Sequence, residues 1–127
     1  MKLQSLTPIL VVDAIEPCLP FWEALGFENH VNVKNDAGAF QFALLTQEEV
    51  SVMYQTRASL EEDIVQLDPR DHETSVMLYL GVDDIDALES ALGDHPILVP
   101  RRETFYGAIE IGVREPSGNV VMFSRRP

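Results

Sequence analysis

This sequence offers little for covalent or metal chemistry. It has one cysteine, Cys18, in 127 residues, so no internal disulfide can close, and that usage fits a reducing, cytoplasmic setting. No neighbour in sequence gives Cys18 a base or a positive charge, so it reads as a buried thiol on an apolar helix face. The three histidines are scattered: His30 falls on a predicted strand, and His72 and His95 fall in polar turns, placements typical of surface side chains. Basic residues number 9 against 21 acidic, a net charge of −12. Such a chain repels phosphate backbones and anionic lipid, which argues against nucleic-acid and membrane partners. No apolar run approaches a bilayer span, and "MKLQSLTPILVVD" is too short and too interrupted for a signal segment. P-loop, dinucleotide fingerprint, G-x-S-x-G elbow, H-E-x-x-H and paired cysteines are all missing.

What is present is a soluble, single-domain composition written twice. The acids sit in clusters, Glu48-Glu49, Glu61-Glu62-Asp63 and Asp83-Asp84-Asp86, which serve either as a solvated surface or as a groove for a cationic ligand. Residues 50–57, "VSVMYQTR", and 119–126, "NVVMFSRR", agree at Val, Met, aromatic and Arg in the same order. Around them the grammar repeats. In "TPILVVDAIEPCLPFWEALGF" a strand over Thr7–Val12 precedes a helix starting no earlier than Glu16. Its stripe is Cys18, Phe21, Trp22 and Leu25, with Gly26 as the stop. In "SVMLYLGVDDIDALESALGD" a strand over Val76–Gly81 precedes an Asp cap, a stripe of Ile85, Leu88 and Leu92, and Gly93. Val12 and Val82 are 70 apart, Gly26 and Gly93 are 67 apart, and Met53 and Met122 are 69 apart.

Three further strands are expected in each half: Glu28–Val33, Ala39–Leu45 and Val50–Gln55, then Ile97–Arg101, Ala108–Arg114 and Asn119–Ser124. Turn chemistry at 35–38 and 116–119 separates them. The intervening 57–73 reads as a polar linker with a short helix capped by Ser59 and a break at Pro69. The expectation is an α+β chain of two tandem βαβββ modules, about 5–56 and 74–127, forming one cup-shaped domain of mixed sheet with helices outside.

On these residues the chain resembles the vicinal oxygen chelate superfamily of glyoxalase, bleomycin-resistance and extradiol dioxygenase proteins. The most specific pieces are "FWEALGF", "VDDIDAL" and "FYGAIEIGVREPSGNVVMF", in that order over nearly the whole length. In the metal enzymes of that group the resemblance puts four His, Gln or Glu ligands at what are here Thr7, Met53, Met77 and Met122. Three thioethers and a hydroxyl suit no such divalent site, and a one-residue register slip offers no ligand either. The expectation is therefore no metal and no cofactor. The nearest branch is the bleomycin-resistance-like one, whose members hold a small molecule and act as homodimers.

Strand parity puts Thr7, Met53, Gln55, Met77, Tyr79 and Met122 on the cup face, an apolar floor with a few polar groups suited to a small organic ligand. The methionines would equally fill a closed core. Tyr106 opens the last hairpin, and Glu110 interrupts a strand, where it is the sole catalytic candidate as a base; its other readings are an edge-strand surface acid or a partner for one of the arginines. Three readings stand: a metal-free binding protein, a lyase, isomerase or dioxygenase-type enzyme, and a dimer with no ligand.

Overall fold

The computed structural model describes residues 1–2, 4–66 and 76–127. The chain divides into two compact units, Met1–Glu73 and Thr74–Pro127. Each is a βαβββ module around one four-stranded mixed sheet, so the fold is α+β with two tandem modules. His72 and Pro69 lie outside the described residues.

The first unit runs β1 (Ile9–Val12), a 3-10 turn (Glu16–Cys18), α1 (Leu19–Ala24), β2 (Glu28–Lys34), β3 (Phe40–Gln47), β4 (Val50–Thr56) and α2 (Arg57–Asp63). Its sheet order is β1-β4-β3-β2, with β1 parallel to β4 and the other pairs antiparallel. The helix expected to run on from Glu16 is divided. Pro17 and Pro20 each fall at the start of their own segment, where a proline removes no amide that the helix needs. Trp22, with no exposed surface, meets Phe21 and Phe27 edge-on at 5.1 and 4.9 Å and reaches the equally buried Tyr54 on β4. That contact puts α1 on the sheet face that carries Leu10, Val52, Tyr54, Ala43 and Leu45, the core of this unit.

Two expectations shift here. Strand β1 starts at Ile9 rather than Thr7. The cap of α2 is Thr56, whose hydroxyl accepts the Ser59 amide at 3.2 Å, while the Ser59 hydroxyl accepts from the Gln55 side chain at 3.1 Å. A cap must have extended backbone, and Thr56, as the last residue of β4, has it. The helix packs on β1, β3 and β4, so the front of the expected linker belongs to the first unit.

The second unit runs β5 (Met77–Gly81), α3 (Ile85–Leu92), β6 (Ile97–Glu103), β7 (Ile109–Arg114) and β8 (Val120–Arg125), in the order β5-β8-β7-β6 with β5 parallel to β8. Asp84 caps α3 by accepting the Ala87 amide at 3.0 Å. Adjacent arginines on β6 mark the two faces of the sheet. Arg101 donates to Asp86 and Glu89 of α3 at 2.7 and 2.6 Å, while Arg102 donates to Glu110 of β7 at 3.1 Å. Because successive strand side chains alternate, α3 covers one face and Glu110 lies on the other. Ile111, Val113, Val121 and Phe123 take the parity opposite to Glu110 and are buried.

Three hairpins share one turn. The amides of Asn35, Thr104 and Glu115 bond the carbonyls of Ala39, Ala108 and Asn119, each at 2.8 Å, and the glycine three residues on returns its amide to the first carbonyl. Gly38, Gly107 and Gly118 sit there at φ 85°, 84° and 99°, the left-handed position that favours glycine. Among the described residues no helix is long and apolar enough to cross a membrane.

Candidate functional site

The open face of the second sheet is organised around one carboxylate. Glu110 is 1% exposed in the middle of β7, opposite Ser124 on β8 and Arg102 on β6. The Tyr79 hydroxyl, from β5, donates to Glu110 Oε2 at 2.8 Å, and the Tyr106 hydroxyl, from the β6–β7 turn, donates to the same oxygen at 3.0 Å. Arg102 occupies Oε1. Burial of an unpaired carboxylate would raise its pKa, but this one lies just under the two phenols and is well supplied with donors. The Tyr79 hydrogen bond, outweighing desolvation and helped by Tyr106 and Arg102, holds Glu110 below the ordinary glutamate value. The neighbouring Tyr79 hydroxyl and then Glu110 itself push the Tyr106 phenol up. Ser124, the ladder partner of Glu110 on β8, is buried beside this group.

Above the carboxylate lies an open hollow of about 580 Å³ lined by Tyr79, Tyr106, Arg126 and Pro127. The Arg126 guanidinium stands 5.8 Å from the centre of the Tyr79 ring, within cation–π range. The Pro127 ring lies over Gly107, where an added Cβ would come 3.6 Å from Pro127 Cγ. Tyr79 and Tyr106 are each 48% exposed, so their rings face solvent while their hydroxyls turn inward. A second hollow, about 320 Å³, is lined by His95, Pro96, Ile97, Leu98 and Arg114. Its one imidazole is engaged with the Arg114 carbonyl at 2.7 Å.

Of the eight residues singled out in the sequence, Tyr79, Tyr106 and Glu110 meet directly. Met122 joins them as the ladder partner of Tyr79 and lies against Gly112. Met77 is on the same strand face but 69% exposed. Thr7, Met53 and Gln55 belong to the first unit. Thr7 is half-buried ahead of β1, Met53 is the half-buried partner of Ile9, and the buried Gln55 amide is committed to Ser59. Arg102 and Arg126 were not among the expected site residues. Arg126 was within reach of a parity count, since it continues the alternation of Met122 and Ser124 one residue past the end of β8. Arg102 was not, because β6 slips register twice between Ile97 and Arg102.

A divalent metal does not fit the positions that the resemblance marks for it. They carry a hydroxyl and three thioethers, and among the described residues no three His, Cys, Asp or Glu side chains come together.

The fold is shared with solved structures that include glyoxalase/bleomycin-resistance/dioxygenase proteins. TioX from Micromonospora sp. ML1 superposes with a TM-score of 0.77 at 16% identity, over 98% of this chain and 99% of that one. A glyoxalase/bleomycin resistance protein/dioxygenase family enzyme from Burkholderia phytofirmans PsJN gives 0.75 at 17%, over 95% and 97%. Lactoylglutathione lyase from Agrobacterium tumefaciens gives 0.74 at 14%, over 98% and 95%. No family model and no curated protein matches the sequence.

Proposed function

We propose that this protein binds a small organic molecule, without a metal ion, in the hollow on the open face of the second module, and holds it rather than transforming it. The observation that carries this reading is the double phenol bond to Glu110, which turns two tyrosine hydroxyls inward and presents their rings to the hollow. Aromatic walls with one cation at the rim suit reversible binding. They suit proton abstraction poorly. A general base needs a free lone pair facing its substrate and a pKa near the working pH, whereas both Glu110 oxygens are engaged and its pKa is lowered. Assembly as a homodimer belongs to the same proposal, with light scattering as its check.

The experiment is a thermal-shift screen of small aromatic and charged compounds, each with and without added divalent metal. A ligand bound only to the native state must raise the melting temperature. A metal-independent rise that disappears in Tyr79→Ala supports the proposal. A rise that needs metal, or none across the screen, overturns it.

A further inference from the structure

The one charged side chain that lines the hollow, Arg126, is opposite in sign to the net charge of the chain. The acid beneath the hollow, Glu110, has its charge spent inward on Tyr79, Tyr106 and Arg102. Arg102 is thereby neutralised as well. Of the side chains at the lining, Arg126 is the charged one; it contacts the Tyr79 ring and has no ion-pair partner among the described residues. Its counterpart in the first module, Arg57, is tied to Asp13 at 3.2 Å. The phenols spend their protons on Glu110, so toward the hollow they offer ring faces and oxygen lone pairs.

We infer that the ligand is a planar aromatic anion, an aromatic carboxylate in the simplest case, with its carboxylate on the Arg126 guanidinium and its ring against Tyr79 and Tyr106. This rests on the binding proposal above and gives it a chemical class. A guanidinium presents a planar fork of donors that matches a carboxylate. The two exposed rings accept a flat partner by offset or edge contact. A cationic ligand would meet the Arg126 guanidinium with like charge, and the Glu110 side chain beneath already has both oxygens engaged. The net charge of −12, which by itself favours cations, acts over the surface and is screened at distances beyond roughly 10 Å in ordinary salt; the nearest fixed charge decides.

The test is a nitrogen-15 NMR titration of the full chain with benzoate, benzyl alcohol, benzylamine and cyclohexanecarboxylate, following the amides of Tyr79, Tyr106, Gly107 and Arg126. Benzoate is expected to bind tightest of the four. Arg126→Gln is expected to weaken benzoate about tenfold, the scale of one charge-assisted contact, while leaving benzyl alcohol unchanged; Arg126→Lys is expected to restore part of the loss. The wild-type ranking needs no variant to fold. If benzylamine or benzyl alcohol shifts these amides at lower concentration than benzoate, the anionic assignment is wrong and the hollow remains a binding site. If cyclohexanecarboxylate matches benzoate, the aromatic requirement is wrong. If none of the four probes moves these amides, this inference and the binding proposal fall together.

Discussion

Trp22 donates its indole N–H to the Tyr54 hydroxyl at 2.8 Å, and neither side chain has any exposed surface. The bond joins α1 to β4 and sets which face of the first sheet is covered. Removing the acceptor strands a buried donor, which costs more than the bond's net worth because the N–H gets no water in return. Tyr54→Phe is therefore expected to destabilise the protein by about 1–3 kcal/mol, read as a lower urea midpoint at unchanged slope. A midpoint within error of wild type would show that the indole is solvated some other way.

Glu110 makes stability depend on acid. Its folded-state pKa lies below the ordinary value of 4.5, chiefly through the Tyr79 hydrogen bond. The stabilisation is therefore complete above 4.5 and is lost as pH falls through the folded-state value. Stability measured by urea from roughly pH 7 to pH 3 should fall at the acid end in wild type and fall less steeply in Glu110→Gln. Equal acid slopes would mean that the carboxylate gains nothing from its donors. At neutral pH the same substitution is expected to cost about 1–2 kcal/mol, the usual effect of weakening hydrogen bonds to a charged group.

Much of the fold was legible because the duplicated pattern supplies an internal check. Val12-Asp13 and Val82-Asp83, or Met53 and Met122, confirm one another, so strand order and helix placement did not rest on propensity alone. The misses come from local geometry. Ser59 looked like a cap by residue type, but only Thr56 has the extended backbone that a cap requires. The site was half legible. Parity placed Tyr79 and Met122 on one face, yet Glu110 reads alike in sequence whether it is an edge acid or a buried acceptor. What distinguishes the two is Tyr106, brought back four residues by the Gly107 turn, together with an arginine whose register depends on bulges.

The α2 cap yields a direct comparison. Thr56→Ala removes the acceptor for the Ser59 amide and is expected to cost about 1 kcal/mol, the usual worth of an N-cap. Ser59→Ala spares the cap and releases the Gln55 amide instead. If both variants keep their melting temperature, the cap assignment is wrong.

The β3–β4 turn holds the single non-glycine residue with positive φ among the described residues, Glu48 at 52°. Its ladder neighbours Gln47 and Val50 are paired, which leaves two residues to reverse the chain. A left-handed glutamate costs about 1–2 kcal/mol in steric strain. Replacing it with glycine removes that strain but adds freedom to the unfolded chain, about 0.5–1 kcal/mol in the other direction. Glu48→Gly should therefore stabilise by about 0.5–1 kcal/mol, seen as a raised urea midpoint. A lowered midpoint would mean that the turn is not strained.

Gly112 is fixed by what stands over it rather than by its backbone angle. A Cβ there would come 2.6 Å from Met122 Sδ and 2.9 Å from both Cβ and Cγ2 of Val99. The equivalent pair in the first module, Leu44 beside Met53, shows that a side chain at this position is otherwise compatible with the sheet. In the second module the missing side chain is what lets Met122 lie down against β7 beneath the site. Gly112→Ala is expected to cost about 1–3 kcal/mol, the range for overfilling a packed site. Met122→Ala in the same chain removes the sulfur clash but not Val99, whose Cβ moves only with its backbone. The double variant should therefore recover only part of the loss. Unchanged urea midpoints for Gly112→Ala would show that Met122 and Val99 both move aside freely, and that this floor is softer than its contacts imply.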